Sequence, residues 1–167
     1  MVALGYVPKY GDDMLAYYGN PDANNDEEVD KHWLETQTSV FKLPYPMVAS
    51  WRDSLVFTHL RMHNLVDPAM LDALYSVLPR VGLQELQDRG WDRTGGVFCF
   101  RPAKGDPTKL STHSFAAAID VNPHLGPFGR KSKQPKVFIE AFVWRGFVYG
   151  GRWKKPWTDG MHMQGVM

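Results

Sequence analysis

The placement of glycine and proline constrains this chain more than any other feature of its sequence. Beyond Gly90 it is cut repeatedly, by Pro102, Gly105 and Pro107 and then by Pro123, Gly126, Pro127 and Gly129. Proline removes a backbone donor and fixes its own φ, and glycine adopts conformations closed to other residues, so such runs read as loops between short elements. No long helix fits there. Before Gly90 the pattern differs. Asp67-Pro68 reads as an N-cap with proline at the first helical position, opening a helix with the apolar stripe Met70, Leu71, Leu74, Val77 and Leu78. Leu55, Val56, His59, Leu60 and His63 recur at a spacing that predicts another helix over Trp51 to Asn64. A helical turn is expected over Leu83 to Leu86.

Within the interrupted part, Val97 to Phe100 reads as a strand, Arg101 to Lys109 and Asn122 to Gln134 as loops, and Phe115 to Val121 as a second strand. Val137 to Trp144 reads as a helix covering the sheet, with short strands at Phe147 to Tyr149 and Met161 to Met163. Residues 1–46, rich in Gly, Pro, Asn, Asp and Tyr, read as an irregular arm with one short helix near Asp26 to Gln37, packed on a domain spanning 47–167. Helices first and strands later favour one α+β domain. At 167 residues, 44% of them hydrophobic, the chain suits a single core.

Charge and cysteine content narrow the function classes. Nineteen basic residues against 18 acidic ones leave a net charge of +1, which argues against a polyanion-gathering field and hence against nucleic acid. Apolar runs fall far short of the roughly 20 residues of a bilayer-spanning helix. Cys99 is the single cysteine, so an internal disulfide and a four-cysteine zinc site are both excluded. Flanked by Phe98 and Phe100, it reads as a small buried hydrophobe. The first 30 residues carry seven acids and no basic-then-apolar leader, so a cytoplasmic, monomeric protein with no secretory signal is expected, acting elsewhere only after release.

Polar residues of unusual type stand among apolar ones in three places. Ser111-Thr112-His113 is followed by Asp120, Asp159 precedes His162 by three residues, and Arg101 follows the aromatic run. His113 and Asp120 are seven apart and cannot share a face of one unbroken strand, but a turn just after His113 lets both point at one spot. A catalytic zinc takes three protein ligands and keeps a fourth position open. A free carboxylate then handles protons and a cation steadies the oxyanion. His113, Asp120 and His162 suit the ligands, Asp159 the base and Arg101 the oxyanion partner. His59 and His63 could chelate in principle, yet no third ligand lies near them. His32 and His124 read as exposed, and Trp144, Trp153 and Trp157 as core or cleft wall.

The stretch Ser111, His113, Ala116, Ala118, Asp120 resembles the SxHxxGxAxD signature of the peptidase M15 family. That family comprises D-Ala-D-Ala carboxypeptidases and L-alanyl-D-glutamate endopeptidases, VanY-type enzymes and phage endolysins among them. Gly146 to Trp153 followed by Asp159-Gly160-Met161-His162 is similar to the family's second signature, and Gly95 to Phe98 with Arg101 to the stretch carrying its substrate-side arginine. The resemblance runs over about Trp51 to Gln164. It implies a small antiparallel sheet carrying the metal, packed against N-terminal helices as in hedgehog domains and these peptidases. It further implies one zinc ion on His113, Asp120 and His162, catalysis by Asp159 and Arg101, Ser111 supporting the site, and the bacterial peptidoglycan stem peptide as substrate. The implied activity is an endolysin cutting L-Ala-D-Glu, or else a D-Ala-D-Ala carboxypeptidase. A zinc-holding binding module on the same scaffold is the reading from another class. Two positions depart from the pattern: Ala116 replaces a glycine, and Asp159 stands where many members carry glutamate.

Overall fold

A computed structural model describes residues 1–167. Two short helices, α1 (Asp12–Tyr18) and α2 (Lys31–Gln37), precede a long hairpin of β1 (Thr38–Ala49) and β2 (Arg52–His63). Helices α3 (Asp67–Val81) and α4 (Leu83–Asp88) follow, then β3 (Arg93–Gly96) and a small separate hairpin, β4 (Pro102–Ala103) and β5 (Asp106–Leu110). The chain ends with β6 (Ala118–Val121), α5 (Lys136–Val143), β7 (Val148–Tyr149) and β8 (His162–Gln164). Six strands form one sheet in the order β2-β1-β3-β6-β8-β7. The architecture is α+β. The expected small antiparallel sheet is instead mixed, because β1 and β3 run parallel with Val48 beside Arg93.

The expected helix over Trp51 to Asn64 is β2. Val56, Phe57 and Thr58 favour the pleated conformation, and β2 pairs with β1 from Thr38↔His63 to Ala49↔Arg52. Residues 38–46, expected as irregular arm, are the greater part of β1. Pro44 and Pro46 lie where its register slips, between Lys42 and Met47, which is where residues without a ladder donor belong. α1 lies in that arm as well, and the helix expected near Asp26 to Gln37 starts at Lys31, capped by the Asp30 carboxylate accepting from Trp33 N.

Helix α3 carries Pro68 in its first turn, stops at Gly82 and buries Ala69, Met70, Ala73, Leu74 and Val77. It lies against α5, which buries Phe138, Ala141 and Phe142. Arg145 ties the two: its buried guanidinium meets Asp72 of α3 at 2.7 Å and the Ala141 carbonyl at 2.7 Å. Val97 to Phe100 forms no strand; the strand of that region is β3, and the loop expected from Arg101 holds the β4–β5 hairpin. Cys99 is exposed rather than buried, so the flanking phenylalanines did not report its environment. Of the helix-spaced histidine pair, His63 is buried with its Nε2 3.0 Å from the Tyr18 carbonyl, while His59 is exposed. No helix is long and apolar enough to cross a membrane.

Candidate metal centre

The site grows from a tight turn. Residues Thr112–Phe115 form one 3-10 turn whose preceding residue, Ser111, accepts from His113 N through its hydroxyl at 3.3 Å. The turn closes at Ala116, which is left-handed at φ 51° and ψ 28°. This is the position where the signature has glycine, and an alanine there bears a backbone conformation that L-residues rarely adopt. The reversal lets His113 and Asp120 converge although an unbroken strand would separate them. Asp120 lies on β6 directly opposite His162 of β8. Gly95 of β3 passes so near that a methyl there would lie 2.8 Å from Asp120 Cβ, so the close strand approach requires glycine.

Three ligand atoms meet. One atom each from His113, Asp120 and His162 lies within 4.8 Å of the others. Asp120 Oδ1 is 3.0 Å from His162 Nδ1 and 3.4 Å from His113 Nε2. Both imidazoles have hydrogen-bonding partners on their far sides. His113 Nδ1 donates to the Val97 carbonyl at 2.8 Å, which leaves its Nε2 as a lone pair without a partner. For His162, Nε2 faces Gln164 Oε1 at 3.0 Å and the Thr112 hydroxyl at 3.3 Å. The orientation of Gln164 is fixed in turn, since its amide donates to the Val166 carbonyl at 2.7 Å. His162 therefore presents Nδ1 inward. With the protons on those far nitrogens, two imidazole lone pairs and a carboxylate oxygen converge, an arrangement that a cation satisfies. Two nitrogens and one oxygen are a donor set that suits zinc, so the residues fit the ion that the resemblance implies.

Burial opposes ionisation of Asp120, but His113 and His162 outweigh it and hold the carboxyl well below the usual range. Burial pushes the Asp159 carboxyl up; His162 opposes this and the Asp120 charge adds to it. Asp159 Oδ1 is buried and makes no hydrogen bond.

All six residues singled out from the sequence line one cleft of about 750 Å³: Arg101, Ser111, His113, Asp120, Asp159 and His162. Three enter the cluster, and the others stand apart from it. Ser111 touches the backbone beneath His113 rather than either imidazole. Arg101 is exposed, with its guanidinium donating to the Pro102 carbonyl at 3.3 Å and its backbone N donating to Ser114 Oγ at 2.9 Å. Trp153 and Trp157 line the cleft as well, whereas Trp144 is exposed elsewhere. Sequence reasoning passed over Gln164, although it lies two residues beyond His162 and strand alternation puts both on one face. It also passed over the Val97 carbonyl, for which side-chain chemistry carries no signal.

A histidine–aspartate–histidine cluster that could hold one metal ion thus shares its cleft with Asp159, whose Oδ1 is buried without a partner. Residues 104–165 match the family model described as D-alanyl-D-alanine carboxypeptidase, which supports the M15 peptidase family for this chain. The matched segment contains every cluster residue together with Ser111, Asp159 and Gln164, and it begins just after Arg101. No curated protein and no solved structure matches.

Proposed function

We propose that this chain is a zinc-dependent peptidoglycan peptidase that cuts the L-Ala-D-Glu bond of the stem peptide, in the manner of a phage endolysin. The observation that carries the metal-dependent reading is the convergence of the His113 and His162 imidazoles on Asp120, with ligand atoms within 4.8 Å of one another, beside Asp159, whose buried Oδ1 has no hydrogen-bond partner. A zinc ion bound by His113, Asp120 and His162 would polarise the scissile carbonyl and acidify water. Asp159, unpartnered at Oδ1 and a stronger base for its burial, takes the proton from the attacking water and returns it to the departing amine. Arg101, exposed at the cleft, donates to the oxygen on which negative charge develops. Thr112 and Gln164 keep His162 aimed inward. The uncommitted Asp159 supports an enzyme over a binding module, which has no need of a free base.

Aspartate at position 159 supports the endopeptidase. The description of the matching family favours a second reading, removal of a terminal D-Ala. Mass spectrometry of muropeptides released from defined sacculi distinguishes the two, because one product ends at L-Ala and the other loses a single D-Ala. Replacing Asp159 with Ala is expected to leave zinc content at one ion and to slow cleavage by about 10²–10⁴-fold, the usual contribution of a positioned base. Cleavage at the wild-type rate would remove Asp159 from the mechanism.

A further inference from the structure

The near-zero net charge conceals a segregation. Acids gather on the arm, at Asp12, Asp13, Asp22, Asp26, Glu27, Glu28 and Asp30. Two loops of the C-terminal half carry the opposite sign: Arg130, Lys131 and Lys133 on one, Arg152, Lys154 and Lys155 on the other. All six side chains are exposed, and none takes part in an ion pair. Neither loop contains an acid before Asp159.

The two loops are fastened together. Gly129 N donates to the Thr158 carbonyl at 2.7 Å and the Tyr149 hydroxyl to Ser132 Oγ at 2.6 Å. The Phe128 and Trp157 rings meet edge to face at 6.3 Å. Phe128, Trp153 and Trp157 of these same loops line the cleft that holds the metal cluster. The cations do not line the cleft themselves; they lie on the same two loops, within five residues of the aromatic side chains that do. Unpaired like charges carried on two joined loops raise the local concentration of a polyanion.

We propose that this cationic rim is a docking surface for the carboxylates of the peptidoglycan network surrounding the peptide being cut; the inference rests on the proposed function. Charge complementarity supports that partner, and so does continuity with the cleft. Stem peptides repeat along the polymer and each bears free carboxylates, so a chain seated in the cleft carries further ones past the rim. Four of the six cations are lysines, point charges that attract without demanding the planar geometry of a guanidinium fork.

The test uses the full zinc-loaded chain and teichoic-acid-free sacculi, co-sedimented in the cold before cleavage. Wild-type binding is expected to weaken steeply between about 0.05 and 0.5 M NaCl, as exposed charges become screened. The K131Q/K133Q/K154Q/K155Q variant is expected to lose at least about tenfold in affinity for sacculi while cutting a small soluble stem peptide within about twofold of the wild-type rate. Sacculi whose carboxyls have been amidated should bind wild type as weakly as untreated sacculi bind the variant. Should the quadruple variant fold poorly, K131E/K133E and the wild-type salt titration carry the test. Equal binding by the variants or salt-insensitive binding overturns the proposal, as does binding only to sacculi that retain teichoic acid, which would assign the rim to phosphodiesters. Stronger competition by a DNA oligonucleotide than by soluble peptidoglycan fragments overturns it as well. If wild type leaves the soluble peptide intact, the proposed function has failed; if cleavage is normal and sacculus binding ignores the charges, the docking surface alone has failed.

Discussion

The β1–β2 hairpin and the β6–β8 ladder belong to the same sheet yet are built differently. The hairpin has two strands of 12 residues joined by a short turn, and Val40, Trp51 and Val56 remain exposed on it. The ladder has strands of four and three residues, and it buries His162 and Gln164 beside the left-handed Ala116 and Asn122. Length and regularity lie in the hairpin, and chemistry lies in the ladder. A buried polar side chain costs free energy unless partnered, so each group in the ladder is held by another, Val166 holding Gln164 and Gln164 holding His162. Strained backbone persists there because the surroundings over-determine it. If this division holds, substitutions in the ladder alter ion binding more than stability, and substitutions in the packed frame do the reverse.

Gln164 offers the sharpest test. Gln164→Leu removes the acceptor that keeps the His162 proton on Nε2, and loss of such a supporting partner typically costs about 10–100-fold in metal affinity. Competition with a chromophoric chelator would measure it. Gln164→Glu retains an acceptor and should recover most of the affinity. Unchanged affinity in the leucine variant would show that neighbours such as Thr112 fix the ring without it.

Asp72 tests the frame. Its carboxylate accepts from Val2 N at 2.9 Å and from buried Arg145 at 2.7 Å, joining the first residues, α3 and the end of α5. Asp72→Ala leaves Arg145 short of a charged partner and should cost about 2–3 kcal/mol in denaturant unfolding, with ion affinity unaltered. The Val2 amide foremost, and Arg145 after opposing burial, hold the Asp72 carboxyl below its usual 3.8. A depressed folded-state value means that the stabilisation is fully present above that pH and is lost as pH falls through the lowered value. The wild type should therefore lose stability on acidification in a window where Asp72→Ala does not lose this contribution. Parallel acid sensitivity in the two would remove Asp72 from the account.

The same division explains what could be read from the sequence. Helix α3 declared itself through Pro68 and its apolar stripe, and α5 through the run around Phe138, because both are amphipathic over several turns. The hairpin misled: Leu55, Val56, His59 and Leu60 mimic a helical period, while what makes β2 a strand is pairing with β1, a contact that no local window contains. The parallel β1–β3 pair was hidden for the same reason. Five candidate site residues stood out because carboxylate, imidazole and guanidinium are uncommon among apolar neighbours, Ser111 came only with the family resemblance, and the structure brings all six to one cleft. Gln164 was overlooked because an amide two residues from a candidate ligand looks like any polar strand residue.

Ala116 gives the smallest expected effect and bears most directly on whether strain in the ladder matters. Relaxing its left-handed conformation with Ala116→Gly gains about 1–2 kcal/mol. The added freedom of the unfolded chain takes back about 0.5–1 kcal/mol, and the lost buried methyl about 0.8 kcal/mol. These contributions nearly cancel, so the melting temperature should move by less than about 4 °C, and ion affinity should stay within about twofold if the turn keeps its shape. A large loss of stability would mean that the methyl's packing holds the turn. Unchanged stability with weakened ion binding would mean instead that the stiffness of alanine at φ 51° is what keeps His113 in register with Asp120. In that case the departure from glycine is part of how this site is built.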